Sequence, residues 1–190
     1  MSGSGQMRVT EDRVTVAVDV MGGDHAPREI LLGALEGASR HNARVLAVGD
    51  RQVIERYLRK MKGAERLQII DAPEQIQMGE NPASAIRRKP NSSLVVAAQL
   101  VRDGKADAML SAGNTGACMA VAALILGRAP GIDRPGIATV LPTARGQSVL
   151  LDVGANVDST VENLVQFAVM GSIYSRDVLG VKNPRVGLLS

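Results

Sequence analysis

An apolar, β-branched run at Val14–Val20 is followed, after one residue, by the sequence Gly-Gly-Asp-His-Ala-Pro at positions 22–27. This order predicts a strand, a glycine turn and the first turn of a helix, because glycine permits a sharp reversal and proline is favoured at the first helical position. At such a junction, free backbone N–H groups and the helix dipole can hold an anion. The segment therefore indicates a strand–helix unit with a site for phosphate or a carboxylate.

Strand-like and helix-like segments alternate along the remaining chain, which predicts a mostly parallel α/β sheet in a single domain over residues 13–190. The strands are expected at Val14–Val20, Arg44–Val48, Leu67–Ile70 and Ala106–Leu110. The helices are expected at about residues 27–41, 51–62, 92–102, 116–126 and 159–178.

Three segments depart from this alternation. Residues 71–91 contain three prolines and a glycine, and we expect an irregular polar loop there. The connection between Ile137–Leu141 and Ser148–Asp152 is too short for a helical crossover, so these two segments are expected to form an antiparallel hairpin. Val186–Leu189 is expected to be a last strand.

The composition excludes several classes of function. With a net charge of +3 and 2% aromatic residues, the chain lacks the basic surface and the stacking platform of a nucleic-acid-binding protein. The single cysteine, Cys118, excludes an internal disulfide and is typical of a reducing, cytoplasmic setting. The longest apolar run, Ala117–Leu126, is shorter than the roughly 20 residues that cross a bilayer. Residues 1–12 are expected to be a disordered tail or a remnant of cloning.

Missing motifs exclude further chemistry. No G-x-G-x-x-G follows a strand and no G-x-x-x-x-G-K-[ST] occurs, which argues against a dinucleotide site and a P-loop. The G-x-S-x-G nucleophile elbow of an α/β-hydrolase is also absent. The two histidines and one cysteine lie too far apart for a zinc site. We therefore expect neither a cofactor nor a metal.

Two polar loops lie in the first half of the chain. In the first, Asp19 stands late in an apolar strand, where an unpaired carboxylate is costly to bury unless something binds it. An ordinary turn with a surface histidine is the alternative there. In the second, Arg87, Arg88 and Lys89 precede a helix that Ser92 or Ser93 caps. Cations next to a helix N-terminus are unfavourable unless an anion bridges them, so a phosphate clamp is predicted, with a solvated face as the alternative.

Two more loops follow later strands. Residues 111–117 read Ser-Ala-Gly-Asn-Thr-Gly-Ala, and this turn allows a close backbone approach to a ligand or serves only as a helix cap. The neighbouring Cys118 is interpreted as a buried, inert thiol in preference to a nucleophile. Asp152 ends another apolar strand and is followed by glycine and Asn156, with a local cap as the alternative. The two strand-end carboxylates, Asp19 and Asp152, together predict a shared polar cleft.

Four segments in their order along the chain, residues 19–27, 87–93, 111–117 and 151–156, resemble the motifs of the PlsX family of phosphate acyltransferases. The resemblance extends from Val14 to Ser190. It implies a three-layer α/β/α sandwich similar to isopropylmalate dehydrogenase, with a mostly parallel sheet and a local antiparallel hairpin. Family members continue well past the last residue of this chain, so the resemblance implies the N-terminal part of such an enzyme.

The resemblance also implies a reaction and its partners. A family member makes acyl phosphate from acylated acyl carrier protein and inorganic phosphate, and the glycerol-3-phosphate acyltransferase of phospholipid assembly uses that product. A cytoplasmic homodimer with peripheral membrane contact and without nucleic acid is implied. The alternatives are a phosphate acetyltransferase-like or dehydrogenase-like enzyme of similar architecture, or an inactive fragment that only binds phosphate or dimerises.

In this reaction a phosphate oxygen attacks the thioester carbonyl, so the protein's task is positioning and charge stabilisation. The residues hypothesised to act in catalysis are His25, Asp24, Asp19, Lys89 and Asn114. His25 is assigned the proton transfer, because its pKa range suits that task. The residues hypothesised to bind phosphate or substrate are Gly22, Gly23, Arg87, Ser92, Ser93, Gly113, Thr115, Gly116, Asp152 and Asn156.

Overall fold

The fold is centred on a four-stranded parallel sheet. The computed structural model describes residues 13–144, 146–154, 156 and 158–189, and the expectation for residues 1–12 lies outside them. The strands, with the sheet order β3-β2-β1-β4, are β1 (Thr15–Asp19), β2 (Arg44–Gly49), β3 (Leu67–Asp71) and β4 (Ala108–Ser111). Each pairs in parallel with its neighbour, which confirms the predicted sheet.

Helices follow the strands as the alternation predicts. They are α1 (Arg28–Arg40), α2 (Arg51–Leu58), α3 (Pro82–Arg88), α4 (Ser93–Arg102), α5 (Thr115–Val121) and α6 (Val161–Asp177). A short 3₁₀ turn, Ala64–Arg66, precedes β3, and α5 continues as a π-helical segment, Ala122–Leu126. An antiparallel pair, β5 (Ala138–Thr143) and β6 (Gly146–Leu151), confirms the predicted hairpin and forms a separate two-stranded sheet.

Helices cover both faces of the parallel sheet. Helix α1 buries Leu31, Ala34, Leu35 and Ala38, whose helical spacing gives it one apolar face against β1 and β2. On the other face, α4 packs Ala97 against Ala17 of β1 and Leu46 of β2. Helices α3 and α5 pack on α4 in a further cluster. The result is the predicted three-layer α/β/α sandwich, because alternate side chains of the strands point to opposite faces.

The segment expected to be an irregular loop contains a helix, so that expectation is wrong for Pro82–Arg88. Asn81 is the N-cap of α3, and its side chain accepts a hydrogen bond from the N–H of Ser84 at 3.1 Å. Pro82 is the first residue of the helix, where its missing N–H costs nothing. In this segment, a proline that the sequence pattern assigns to a loop begins a helix.

Two further boundaries differ from the sequence prediction. Val186–Leu189 forms no strand, because an apolar segment becomes a strand only where a neighbouring strand pairs with it, and none of the described strands does. Helix α2 ends at Leu58 instead of residue 62, and Gly63, at φ 81°, then redirects the chain.

Among the helices of the described residues, none is long and apolar enough to cross a membrane.

Candidate functional site

The turns that follow β1 and β4 lie side by side at the carboxyl ends of these neighbouring strands. A Cβ atom placed on Gly113 would be 3.1 Å from the Cα atom of Gly22. A Cβ atom on Gly23 would be 3.4 Å from that of Ala112. The structure therefore brings together the first and third polar loops, and glycine is what allows their backbones to approach so closely.

A buried hydrogen-bond cluster, the Asp19–Ser111 clasp, joins these two turns. Asp19 is only 3% exposed and stands in register with Ser111 of β4. Its Oδ2 accepts a hydrogen bond from the Ser111 hydroxyl at 2.7 Å, and its Oδ1 accepts from the N–H groups of Met21 and Gly22. Ser111 Oγ in turn accepts from the N–H of Gly113 at 3.1 Å.

The clasp corrects one step of the sequence argument. Burial of Asp19 needs no external ligand, because two backbone N–H groups and a hydroxyl already satisfy its carboxylate. Ser111 was not among the predicted site residues. What identifies Ser111 is that it stands in register with Asp19 on the adjacent parallel strand, and this is known only once the strand order is known.

Asp24 and His25 lie on the turn between the first glycine pair and α1. Both side chains are exposed, and neither makes a hydrogen bond or ion pair with any described residue. The backbone is nevertheless fixed, since the carbonyl of His25 accepts from the N–H of Glu29 and Pro27 is buried. A well-anchored turn thus presents a carboxylate and an imidazole to solvent beside the Asp19–Ser111 clasp.

Asn114 ties the turn after β4 to the second polar loop. Its Nδ2 donates to the carbonyls of Met78 at 2.9 Å and Glu80 at 3.2 Å. Its Oδ1 accepts from the N–H of Ala117 at 3.0 Å and caps α5. Since both side-chain groups are engaged within the protein, Asn114 positions the second loop, and its role as an oxyanion donor stays a prediction.

The charge of Lys89 is paired within the second loop. Its Nζ donates to the carbonyl of Gln75 at 2.7 Å and forms an ion pair with Glu80. The hydrogen bond from Lys89, together with the N–H of Gln77, lowers the pKa of the Glu80 carboxyl below its usual value. Arg88 lies 3.7 Å from the same carboxylate.

Arg87 and Arg88 do not need an anion for the electrostatic reason that the sequence suggested. Arg87 and Arg88 lie in the last turn of α3, where a helix dipole favours cations, so no bridging anion is required. The Arg87 side chain is exposed, and its Nε donates to the carbonyl of Ala83 in its own helix. A role for Arg87 and Lys89 in binding phosphate remains a prediction without that argument.

The two serines at the start of α4 lie inside the protein. Ser92 and Ser93 are 0% and 1% exposed. The N–H of Ser93 donates to the carbonyl of Glu74 at 3.0 Å. The Ser92 hydroxyl finds no hydrogen-bond partner among the described residues. Because both side chains are buried, ligand contact at either serine would require part of the surrounding protein to move, and their binding role also stays a prediction.

Asp152 and Asn156 hold a strap, residues 135–137, that leads into β5. Asp152 Oδ1 accepts from the N–H of Ile137 at 3.0 Å, and Asn156 Nδ2 donates to the carbonyl of Pro135 at 3.0 Å. Asp152 Oδ2 accepts from both nitrogens of Asn156. These contacts make both residues positioning residues for the strap, and direct binding of phosphate stays a prediction.

A hollow of about 350 Å³ separates the strap from β4 and α5. Its lining residues are Met109, Ser111, Gly113, Thr115, Cys118, Met119, Ala122, Pro135, Gly136 and Ile137. Burial raises the pKa of the Cys118 thiol above its usual value, and a hydrogen bond with Ser111 opposes this only in part. Cys118 is therefore a poor nucleophile at neutral pH, as the sequence predicts.

The remaining predicted residues, Thr115 and Gly116, lie at the start of α5. Thr115 is the exposed first residue of α5, and Gly116 lies against Pro82, to which an added Cβ would come within 3.1 Å. Within the part of the chain that the structure describes, no group of three or more His, Cys, Asp or Glu side chains is placed to hold a metal ion.

A second hollow, of about 450 Å³, lies at the opposite edge of the sheet. Its lining includes Arg13, Arg44 and Arg66, which stand at the amino ends of β1, β2 and β3. None of the predicted site residues lies there. We place the candidate site at the carboxyl edge, because three strand-end turns and the strap converge only there.

Comparison with known proteins gives a consistent assignment. A sequence profile described as "Fatty acid synthesis protein" matches residues 14–190. Proteins named phosphate acyltransferase are 53% identical over 175 residues in Desulfitobacterium hafniense strain Y51, 55% over 180 in Thermosynechococcus vestitus and 50% over 182 in Gloeobacter violaceus. These alignments cover 92%, 94% and 95% of the chain but 52%, 52% and 54% of the relatives. The chain spans about half the length of the curated relatives it matches.

Proposed function

The chain belongs to the family of fatty acid synthesis proteins, and we propose that it takes part in transferring an acyl group from acyl carrier protein to inorganic phosphate. The relatives' name, phosphate acyltransferase, supports this reaction. None of the relatives named above is a dehydrogenase or an acetyltransferase, so those alternatives are not favoured. The observation that carries the proposal is the contact between two glycine turns at the Asp19–Ser111 clasp, beside the exposed Asp24 and His25.

The proposed reaction needs no acylated protein residue. An oxygen of hydrogen phosphate attacks the thioester carbonyl, the new carbon–oxygen bond forms, and the carbon–sulfur bond breaks. The proton of hydrogen phosphate passes to the departing thiolate, which leaves as the free thiol of acyl carrier protein. The products are acyl phosphate and thiol, and the protein contributes orientation and stabilisation of the charge on the carbonyl oxygen.

His25 is the proposed carrier of that proton. Its imidazole is exposed beside the Asp19–Ser111 clasp, and an imidazole nitrogen can accept a proton from phosphate and return it to the thiolate. The adjacent Asp24 is proposed to orient it. Asp19 is proposed to act through Ser111, by holding the turns that contain Gly22 and Gly113 in contact.

Phosphate is proposed to lie over the glycine turns, with its charge balanced by Lys89 and Arg87. The Lys89 ammonium group already forms an ion pair with the Glu80 carboxylate. Phosphate would therefore replace Glu80 as the anion beside Lys89. Such an exchange keeps Lys89 paired throughout, which avoids leaving a half-buried cation without a partner.

The test compares the two histidines of the chain. In the intact protein, we expect His25→Ala to lower kcat for acyl-phosphate formation by about 10²- to 10⁴-fold, the usual contribution of a positioned acid or base. His41→Ala is the matched control, because His41 is exposed at the end of α1, at the opposite edge of the sheet. Lys89→Ala is measured alongside. Unchanged turnover in both His25→Ala and Lys89→Ala would remove the proposed roles.

Further partners are proposed for the intact protein. We expect a cytoplasmic homodimer that contacts the membrane peripherally and passes acyl phosphate to a glycerol-3-phosphate acyltransferase. Sedimentation equilibrium measures the dimer, and flotation with anionic vesicles measures the membrane contact. A monomer that stays out of the vesicle fraction would contradict both.

A further inference from the structure

The hollow between the strap and α5 is lined by apolar side chains over most of its surface. None of its lining residues carries a charge, and two of them are methionines, Met109 and Met119. Its volume of about 350 Å³ falls in the range of small-molecule sites, which is about 300–1,000 Å³. We propose that this hollow binds the first part of the aliphatic acyl chain, an inference that rests on the acyl transfer proposed above.

The hollow is polar at one end and apolar at the other. Ser111, Gly113 and Thr115 lie at the end next to the glycine turns, and Ala122 lies about 10 Å further along the helix that begins at Thr115. A ligand that fits this gradient has a polar group at the turns and a flexible hydrocarbon tail. In an acyl thioester or an acyl phosphate, the reacting carbonyl would lie at the turns and the methylene groups along α5.

The lining favours an aliphatic chain over an aromatic or a charged ligand. Methionine side chains are unbranched and adapt their shape to a flexible partner. No aromatic ring lines the hollow to stack on a base or ring, and no cation lines it to pair with a second phosphate. Cys118, in the middle of the lining, has a pKa raised mainly by burial, which agrees with an apolar environment at that depth.

Equilibrium binding tests the hollow without turnover. Isothermal titration of the wild-type protein with n-alkylphosphonates of increasing length should show the Kd falling by two- to fourfold for each added methylene until the hollow is filled. Inorganic phosphate serves as the ligand without a chain. In parallel, a long-chain alkylphosphonate should protect Cys118 from a maleimide, and inorganic phosphate should not.

Two variants on the same helical run locate the binding. Met119→Gln places a polar amide in the hollow at nearly constant volume and should weaken binding of the longest phosphonate by about tenfold. Leu124→Gln is the matched control, because Leu124 is 65% exposed and lies outside the lining, and it should leave Kd unchanged. Thermal unfolding of both variants checks that they fold. The maleimide protection of Cys118 is measured on the wild-type protein, so it tests the proposal even if a variant does not fold.

The outcomes separate the two proposals. Chain-length-dependent binding without acyl-phosphate formation would support acyl-chain binding in the hollow and would contradict the proposed acyl transfer. Acyl-phosphate formation would leave the acyl transfer intact even if the Kd of the alkylphosphonates does not depend on chain length or Cys118 is not protected. Either of those two results would overturn acyl-chain binding in the hollow. An equal loss of affinity in Met119→Gln and Leu124→Gln also overturns it.

Discussion

At the scale of the residue, Gly22 shows how sequence limits this site. A Cβ atom at Gly22 would lie 2.4 Å from Asp19 Oδ2 and 2.9 Å from Ser111 Oγ, so any other residue must push the clasp apart. This constraint comes from close packing, and it explains why the turn after β1 contains a glycine at that position.

We therefore predict that Gly22→Ala destabilises the protein by about 1–3 kcal/mol, the usual cost of overpacking a tight site. Gly33→Ala is the matched control, because Gly33 lies in α1 with no atom within 4 Å of the added Cβ. That substitution should stabilise the protein by about 0.5–1 kcal/mol. Urea unfolding measures both. Equal free energies of unfolding in the two variants would show that the clasp leaves room at Gly22.

Ser111 is the second residue on which the clasp depends. Ser111→Ala leaves Asp19 buried with two donors instead of three, and we expect a loss of about 1–3 kcal/mol in the free energy of unfolding. Ser111→Thr keeps the hydroxyl and should recover part of this loss. Ser39→Ala, at an exposed position of α1, should change stability by less than about 0.5 kcal/mol. A Ser111→Ala protein as stable as wild type would contradict the account.

At the scale of the element, the second loop depends on the pair formed by Lys89 and Glu80. Because the folded pKa of Glu80 is lowered from an unfolded value near 4.5, its contribution to stability is fully present above about pH 4.5. That contribution is lost as the pH falls through the lower folded value.

Glu80→Gln should therefore be less stable than wild type at neutral pH, and the difference should shrink as the pH falls below 4.5. Glu36→Gln breaks an ion pair with Arg40 on the surface of α1 and is the control. Its effect should be smaller, because the Glu36 side chain is 57% exposed and that of Glu80 is 20% exposed. Urea unfolding at a series of pH values measures both. A difference for Glu80→Gln that grows towards low pH would refute the assignment.

The strap is the second element whose position rests on few contacts. Asp152→Ala removes the acceptor of the Ile137 N–H and two contacts to Asn156, so the strap should open over Cys118 more often. We expect the rate of Cys118 labelling by a maleimide to rise by roughly two- to tenfold, as for the loss of one or more hydrogen bonds. Asp158→Ala changes an exposed side chain nearby and should label at the wild-type rate. Equal rates in the two variants would show that Asp152 does not hold the strap.

At the scale of the whole molecule, the layers could be predicted from the sequence. The alternation of strand-like and helix-like segments is enough for the parallel sheet, and the short connection after Ile137–Leu141 is enough for the hairpin. The position of the turns after β1 and β4 also follows, since the carboxyl ends of parallel strands share one edge. What the local pattern alone misjudges is α3, where proline begins a helix, and the segment Val186–Leu189, which lacks a partner strand.

The internal contacts of the site could not be predicted in the same way. The polar residues at the expected edge have partners elsewhere in the protein, and this holds for Asp19, Lys89, Asn114 and Asp152. Those partners come from distant parts of the chain, as Ser111 does for Asp19. Sequence reasoning locates such residues, and only the packed structure separates a side chain engaged within the protein from an exposed one, such as that of His25.

The most direct test of the account is whether phosphate enters the product. Radiolabelled inorganic phosphate and acylated acyl carrier protein are incubated with the intact protein, and labelled acyl phosphate is measured against released thiol. We predict equal amounts of the two, with both strongly reduced in His25→Ala and unchanged in His41→Ala. Thiol released without labelled acyl phosphate, or at the same rate without phosphate, would contradict it.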